Sequence, residues 1–225
     1  FIKDNPKEIV KVGPSESMSK SKKNTIDPEK MIAEYGADSV RFFILSDSPP
    51  EKDIQWSDSG MNSSFKYIQK FWLLNEKICL VLKDKKASSN EDIDLFVNQA
   101  IKKINFALEK FRYNVIIAIF HEIYSFFTKI LETNLNYSNL RENYKKILIT
   151  MLPVIPHLAN ECLEKINEKK DIKWPIVNNK FIKNDKSNVV IQVNGKKRAV
   201  VSVEKGLNEK KILDQVKHDK LIDKY

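Results

Sequence analysis

Ser17-Met18-Ser19-Lys20-Ser21 sets one lysine among three hydroxyls, inside a stretch that is polar, basic and serine-rich from Ser15 to Asn24. An ammonium held beside hydroxyls and loop amides can stabilise negative charge as it develops on a phosphate leaving group. Small polar residues also let such a loop move. Read as five residues alone, the same pattern is better described as a solvated basic loop or a linker open to phosphorylation.

A second basic group comes after a turn near the other end. Lys196, Lys197 and Arg198 stand directly after Asn194-Gly195, the strongest two-residue hairpin signal. Alternation along the return strand sends Lys197 to the face opposite its neighbours. The net charge is +9 and is unevenly spread. Residues 1–164 carry 23 basic and 22 acidic side chains, whereas residues 165–225 carry 16 and 8. A polyanion partner for the last quarter is the reading this favours. Lysines that guard an edge strand against aggregation would need no ligand.

The remaining reactive residues read as structural. His157 comes after Pro156 at a helix start, and His121 lies among apolar helix residues. Trp56 and Trp72 are isolated and suit packing better than stacking on bases. Glu51, Asp53, Asp58 and Asp27 form no acid–base pair, and the last three suit turns and caps. Cys79 and Cys162 sit singly in apolar helical surroundings, as expected of reduced core residues in a cytoplasmic protein. Neither has a Cys or His at ligand spacing, so no zinc or other metal site is expected. No apolar run approaches the ~20 residues of a membrane span.

The elements that must hold these groups are set by periodicity. Ile9 to Val12 suggests a short strand entering the serine-rich loop at Gly13-Pro14. Asp27-Pro28 starts a helix that Gly36 ends. A second apolar run spans Val40 to Leu45 and stops before Pro49-Pro50. From Asp58 to about Leu82 the pattern is helical, with Phe65, Ile68, Trp72, Cys79 and Leu82 on one side. The polar linker from Lys83 to Asn90 precedes a helix with Val97, Ile101, Ile104, Leu108 and Phe111 in register. Further helices cover about Val115–Leu131 and Asn139–Leu152, and after Pro153 and Pro156 another reaches Ile166. Strands at Val189–Val193 and Arg198–Val203 flank the turn, and Leu207 to Lys217 looks helical.

The predicted fold is mainly α: a helical bundle, preceded by a strand–loop–helix connecting module and followed by a small α+β domain. The expected division is 1–57, 58–170 and 171–225, the last basic and with its hairpin at 189–203.

In order along the chain, several motifs carry a family resemblance. Ser17-Met18-Ser19-Lys20-Ser21 is similar to the mobile signature loop of class I aminoacyl-tRNA synthetases, usually Lys-Met-Ser-Lys-Ser. The run through Lys22-Lys23-Asn24, Asp27-Pro28, Tyr35-Gly36-Ala37-Asp38 and Arg41 resembles the segment after that loop in the large monomeric enzymes of the class. Ser48-Pro49-Pro50-Glu51 and Gln55-Trp56-Ser57-Asp58-Ser59-Gly60 point to the leucyl-tRNA synthetase family. Arg112-Tyr113-Asn114, the stretch Leu152 to Glu161, Trp174-Pro175 and the hairpin from Ile191 to Arg198 resemble further motifs of that family.

The resemblance implies that the bundle is the anticodon-binding-type domain of class I synthetases, and that the protein is a leucine–tRNA ligase that activates leucine with ATP, accompanied by Mg, and passes it to tRNA(Leu). It assigns Lys20 to the ATP phosphates, with Ser17, Met18, Ser19 and Ser21 around it, and Lys196, Lys197 and Arg198 to tRNA. Ser17 stands where the family usually has lysine, and Lys22 and Lys23 come soon after. The chain starts at Phe1 and has no Gly-rich phosphate loop or paired catalytic His, so the nucleotide-binding sheet is expected upstream and the chain alone is expected to be inactive. The expected protein is a cytoplasmic monomer with no membrane partner. A free-standing tRNA-binding module derived from a synthetase, or a sister ligase for valine, isoleucine or methionine, stays open on the sequence alone.

Overall fold

The computed structural model describes residues 13–49, 51–168, 172–182, 186–193, 196–204 and 212. The strand expected over Ile9 to Val12, the Asn194-Gly195 turn and, apart from Ile212, the helix expected over Leu207 to Lys217 lie outside them. The chain divides into two compact units, Phe1–Ile176 and Val177–Tyr225.

In the first unit two short helices come after the serine-rich loop: α1, Pro28–Tyr35, and α2, Ala37–Ser46. Asp27 caps α1 by accepting the Glu29 N–H at 3.0 Å. Gly36 separates the two helices at φ 80°, ψ 153°, a backbone region open to glycine almost alone. The apolar run at Val40 to Leu45 is thus the second half of a helix whose buried face is Asp38, Ser39, Phe42 and Phe43.

Helix α3, Asp58–Val81, is N-capped by Ser57, whose Oγ accepts the Gly60 N–H at 3.1 Å. Its buried residues are Met61, Ser64, Tyr67, Phe71, Leu74, Asn75 and Ile78. The stripe expected from the sequence, Phe65, Ile68, Trp72, Cys79 and Leu82, lies beside this face and is only partly covered. The helix is apolar on two adjacent sides, so period alone does not say which side meets the bundle. Gly60 lies where the Phe43 ring crosses: a Cβ there would stand 2.7 Å from Phe43 Cε2.

Helices α4, Glu91–Glu109, and α5, Tyr113–Leu131, form a hairpin. Val97, Ile101 and Ile104 are buried on α4 as the spacing predicts, but Phe111 is 64% exposed. It falls beyond the helix end at φ 53°. There the Arg112 N–H reaches Ala107 O at 2.8 Å and the Phe111 N–H reaches Leu108 O at 3.0 Å. This is a Schellman ending with phenylalanine where glycine is usual.

α5 is the one helix among the described residues long and apolar enough to cross a membrane. It does not stand out as a continuous apolar run in the sequence because His121, Glu122, Ser125, Thr128 and Lys129 interrupt it. Here its buried face, Ile116, Ile117, Ile119, Phe120, Ile123, Phe127 and Ile130, is bundle core, packed by α2, α3 and α4.

Two short strands, β1 at Lys86–Ala87 and β2 at Asn136–Tyr137, pair in parallel and link the loops before α4 and after α5. Helices α6, Leu140–Met151, and α7, Pro156–Lys165, complete the bundle. Asn139 does not cap α6 with its own side chain. It reaches across to α4, donating to Asp94 Oδ2 at 2.6 Å and to Asn90 O at 2.8 Å. Asn143 donates to the other Asp94 oxygen at 2.7 Å. One carboxylate therefore ties α4 to α6 while sitting in α4's first turn, where negative charge is favoured. Tyr67 donates its hydroxyl to Phe120 O at 3.0 Å, and Tyr144 donates to Asn75 Oδ1 at 3.2 Å, so the buried polar tips find partners.

In the second unit a 3-10 turn at Asn179–Phe181 precedes the antiparallel strands β3, Lys186–Val193, and β4, Lys196–Glu204. The register places Ile191 opposite Ala199 but Gln192 opposite Lys197. Arg198 is thus an extra residue, a bulge, which breaks the two-residue period behind the expected alternation of Lys197 against its neighbours.

Candidate functional site

The signature-like loop is organised by one asparagine. Asn24 Oδ1 accepts the Ser19 N–H at 2.8 Å, and its Nδ2 donates to Ser17 O at 3.3 Å. Between these anchors the chain turns, with the Lys22 N–H reaching Ser19 O and the Lys23 N–H reaching Lys20 O, each at 3.2 Å. Lys23 takes the left-handed conformation that closes the turn, at φ 53°. The Ser19 and Ser21 hydroxyls are 3.2 Å apart, and Ser19 Oγ also accepts the Lys22 N–H at 3.3 Å. The turn is thus preshaped by its own polar atoms, and it presents Lys20 and Met18 to solvent.

The cations of the loop differ in what they meet. Lys22 Nζ pairs with Glu16 Oε2 at 2.7 Å. Lys20 and Lys23 have no ion pair among the described residues. Ser17 and Ser21 are exposed beside Lys20. The loop is therefore able to offer two unpaired ammoniums, Lys20 and Lys23, and two exposed hydroxyls to an anion. Sequence reasoning singled out Ser17 to Ser21 as a candidate phosphate loop but missed Asn24 as the organiser of the turn and Glu16 as the partner of Lys22. A lone Asn after a Ser/Lys run is a turn signal in principle.

The loop module is locked to the bundle by α2. Asp38, 6% exposed, accepts the Leu158 N–H at 2.7 Å through Oδ2, at the N-terminus of α7. Arg41 donates to Val154 O at 2.9 Å and Pro153 O at 2.8 Å, in the turn after α6. An acid at a helix start and a cation on the carbonyls just past a helix end both suit the helix dipoles. The Pro153–Pro156 break leaves these backbone groups without helical partners.

The hairpin residues Lys196, Lys197 and Arg198 lie in β4, and their side chains are outside the described positions. Cys79 and Cys162 are free, and burial pushes both thiols up, Cys162 strongly. His121 stands edge-on to Tyr67 at 4.7 Å and Phe42 at 5.9 Å, and loss of solvent lowers its pKa. His157 is exposed at the start of α7, on a mostly apolar cavity of about 870 Å³ that Ile68 and Trp72 also line. Trp56 packs against Phe43 at 5.2 Å and donates to Asp58 Oδ1 at 2.8 Å. Among the described residues no three His, Cys, Asp or Glu cluster as metal ligands.

Comparison with known proteins matches residues 90–213 to the anticodon-binding domain of tRNA ligases. The chain belongs to that family. Residues 7–57 match the class I tRNA synthetases for isoleucine, leucine, methionine and valine. Among curated relatives, leucine–tRNA ligase of Roseobacter denitrificans is 33% identical over 206 residues, 90% of this chain and 24% of its own length. That of Bartonella henselae is 34% identical, and covers 92% of this chain and 25% of itself. That of Prochlorococcus marinus is 35% identical, with 92% and 24% covered. The chain therefore spans about a quarter of the length of these relatives. The same bundle architecture is found in the ternary complex of Agrobacterium radiobacter LeuRS with tRNA and LeuAMS. The match there has a TM-score of 0.70 at 22% identity, covering 92% of this chain and 28% of that one. This anticodon-binding fold accounts for the mainly helical structure.

Proposed function

We propose that the chain is the C-terminal part of a leucine–tRNA ligase, contributing tRNA(Leu) binding and the mobile loop that faces ATP. The observation that carries this is the 33–35% identity to leucine–tRNA ligases over about 90% of the chain, with a synthetase segment and an anticodon-binding segment in that order. The working division is 1–57 as loop and connecting module, 58–170 as tRNA-binding bundle and 171–225 as a small basic domain. ATP, with its Mg, and leucine are substrates held mainly by a catalytic domain upstream. The protein acts as a cytoplasmic monomer, in keeping with two free cysteines.

In this reading Lys20 is the catalytic residue of the segment. Activation joins the leucine carboxylate to the α-phosphate and breaks the bond to the β-phosphate, so negative charge grows on departing pyrophosphate. The Lys20 ammonium stabilises that charge, and Ser19, Ser21 and the loop amides donate to phosphate oxygens. Asn24 holds the turn in shape, which lowers the cost of ordering the loop at each turnover. With Ser17 in the position of the usual first lysine and Lys22 engaged by Glu16, Lys23 is the cation free to supplement Lys20.

The test is leucine-dependent ATP–pyrophosphate exchange by the longer protein. Lys20→Ala should slow activation on the order of a hundredfold or more with little change in leucine binding. An unchanged rate removes Lys20 from the mechanism. The 225-residue chain alone should show no exchange.

A further inference from the structure

The end of the α4–α5 hairpin exposes more aromatic surface than the bundle requires. A depression of about 330 Å³ lies between the last turns of α4 and the first of α5, lined by Phe106, Val115 and Ile119 together with Lys103, Arg112 and Glu122. Phe106 is 56% exposed. Phe111, just beyond, stands edge-on to Tyr113 at 5.9 Å. Nearby, Trp174 anchors its indole N–H on Asn105 Oδ1 at 2.9 Å and stays partly exposed.

Two features separate this patch from ordinary surface apolar residues. The first is that Phe111 holds a left-handed backbone, where a bulky side chain is disfavoured and glycine or asparagine would close the same turn. α7 closes the same motif with Asn167 at φ 60°, the Glu168 N–H reaching Leu163 O at 2.8 Å. A strained, exposed phenylalanine that adds nothing to the core calls for a use outside it. The second is charge. Arg112 lines the depression, and Lys102 and Lys110 stand four residues either side of Phe106 along the chain; all three are exposed and without an ion pair among the described residues. Lys103 is paired to Glu122 at 3.0 Å, in a bridge exposed on both sides and so easily exchanged.

We infer that this depression is a nucleobase site: an unstacked base of the bound tRNA stacks on Phe106 and the Arg112 guanidinium, while Lys102 and Lys110 meet the flanking phosphates. The inference rests on the tRNA-binding reading above and adds to it a place and a mode. RNA is read chiefly where bases are splayed out, on aromatic rings and arginine planes, and a depression of about 330 Å³ is large enough to admit one base. Phe111 offers a second ring beside the first.

The experiment measures binding of the 225-residue chain to a tRNA(Leu) transcript by fluorescence anisotropy across a salt series. Phe106→Ala should weaken binding about tenfold, the loss expected of one stacked base, and leave the salt slope unchanged. Phe106→Trp should retain affinity and Phe106→Leu should not. Lys102→Ala and Lys110→Ala should each reduce the salt slope by about one, and Arg112→Ala should weaken binding as loss of a stacking partner does. Phe111→Gly should weaken binding in a chain that folds at least as well. If the unsubstituted chain does not bind the transcript, the tRNA-binding reading fails first. If it binds and the Phe106, Phe111 and Arg112 variants bind equally well, the nucleobase site is wrong, and the patch is instead surface for protein.

Discussion

The Asp38 carboxylate, at the start of α2, accepts the backbone N–H of Leu158 at 2.7 Å and so caps a helix 120 positions further along the chain. Arg41, one turn on, holds the carbonyls of Pro153 and Val154. These two side chains join the connecting module to the one place where proline breaks the bundle. Asp38→Ala should lower stability by about 1–3 kcal/mol, the cost of a lost cap and an unsatisfied buried N–H. Asp38→Asn keeps an acceptor and should lose less. Urea unfolding of the three proteins decides: equal midpoints would mean the cap contributes nothing.

Two glycines carry different constraints. Gly36→Ala forces a Cβ into a backbone region that glycine alone adopts readily, at a cost of about 1–3 kcal/mol. Gly60→Ala would gain about 1 kcal/mol of helix propensity but meets the Phe43 ring at 2.7 Å, and repacking typically costs about 1–3 kcal/mol. Both variants should melt below the parent. A Gly60→Ala protein that melts higher would show that Phe43 gives way freely.

Phe111→Gly should act oppositely on stability and RNA binding. Releasing a left-handed phenylalanine is worth about 1–2 kcal/mol, less what glycine loses by ordering a freer chain. A net rise in urea midpoint is expected. A fall would mean that the edge-on contact with Tyr113 outweighs the strain.

Partial loss of solvent beside Phe42 and Tyr67 lowers the pKa of the otherwise exposed His121 in the fold. The unfolded chain, with a pKa near 6.5, then binds more protons than the native one between the two values. Stability from neutral His121 is present above about pH 6.5 and is lost as pH falls through the lowered folded pKa. His121→Phe should flatten that part of the curve of urea midpoint against pH. An identical slope in both proteins would show that other groups set it.

The loop should depend on Asn24 without Asn24 touching substrate. Asn24→Ala removes both anchors of the turn, so activation by the longer protein should slow about tenfold, as for a positioning contact worth about 1.4 kcal/mol. Asn24→Asp keeps only the acceptor and should recover part of the rate. Unchanged exchange kinetics in Asn24→Ala would mean that the loop is shaped by substrate and not beforehand.

Local signals are legible wherever one residue type forces one geometry. Asp27-Pro28 marks the start of α1, Gly36 its end, Pro153 and Pro156 the break between α6 and α7, and Val189–Val193 the core of a strand. Features that depend on partners distant in sequence are not. The two apolar sides of α3 differ only in which meets Phe42, Phe120 and Tyr144, so periodicity misplaces its buried face by about one position. Phe111 continues the α4 period but falls past the helix end, where a Schellman turn carries it to the surface. Asn139 stands at a helix start, yet its side chain bonds across the bundle to Asp94. In the loop the residue types mark an exposed polar turn, whereas the Lys22–Glu16 pair is visible only in three dimensions.

The most direct test of leucine–tRNA ligase function is aminoacylation by the longer protein that carries this chain, measured with tRNA(Leu) and with the tRNAs for valine, isoleucine and methionine. The expected result is ATP-dependent attachment of leucine to tRNA(Leu), falling steeply in Lys20→Ala, and no comparable charging of the other three. Efficient charging of one of those tRNAs with its own amino acid, or no charging by a folded protein that still binds tRNA, would contradict it.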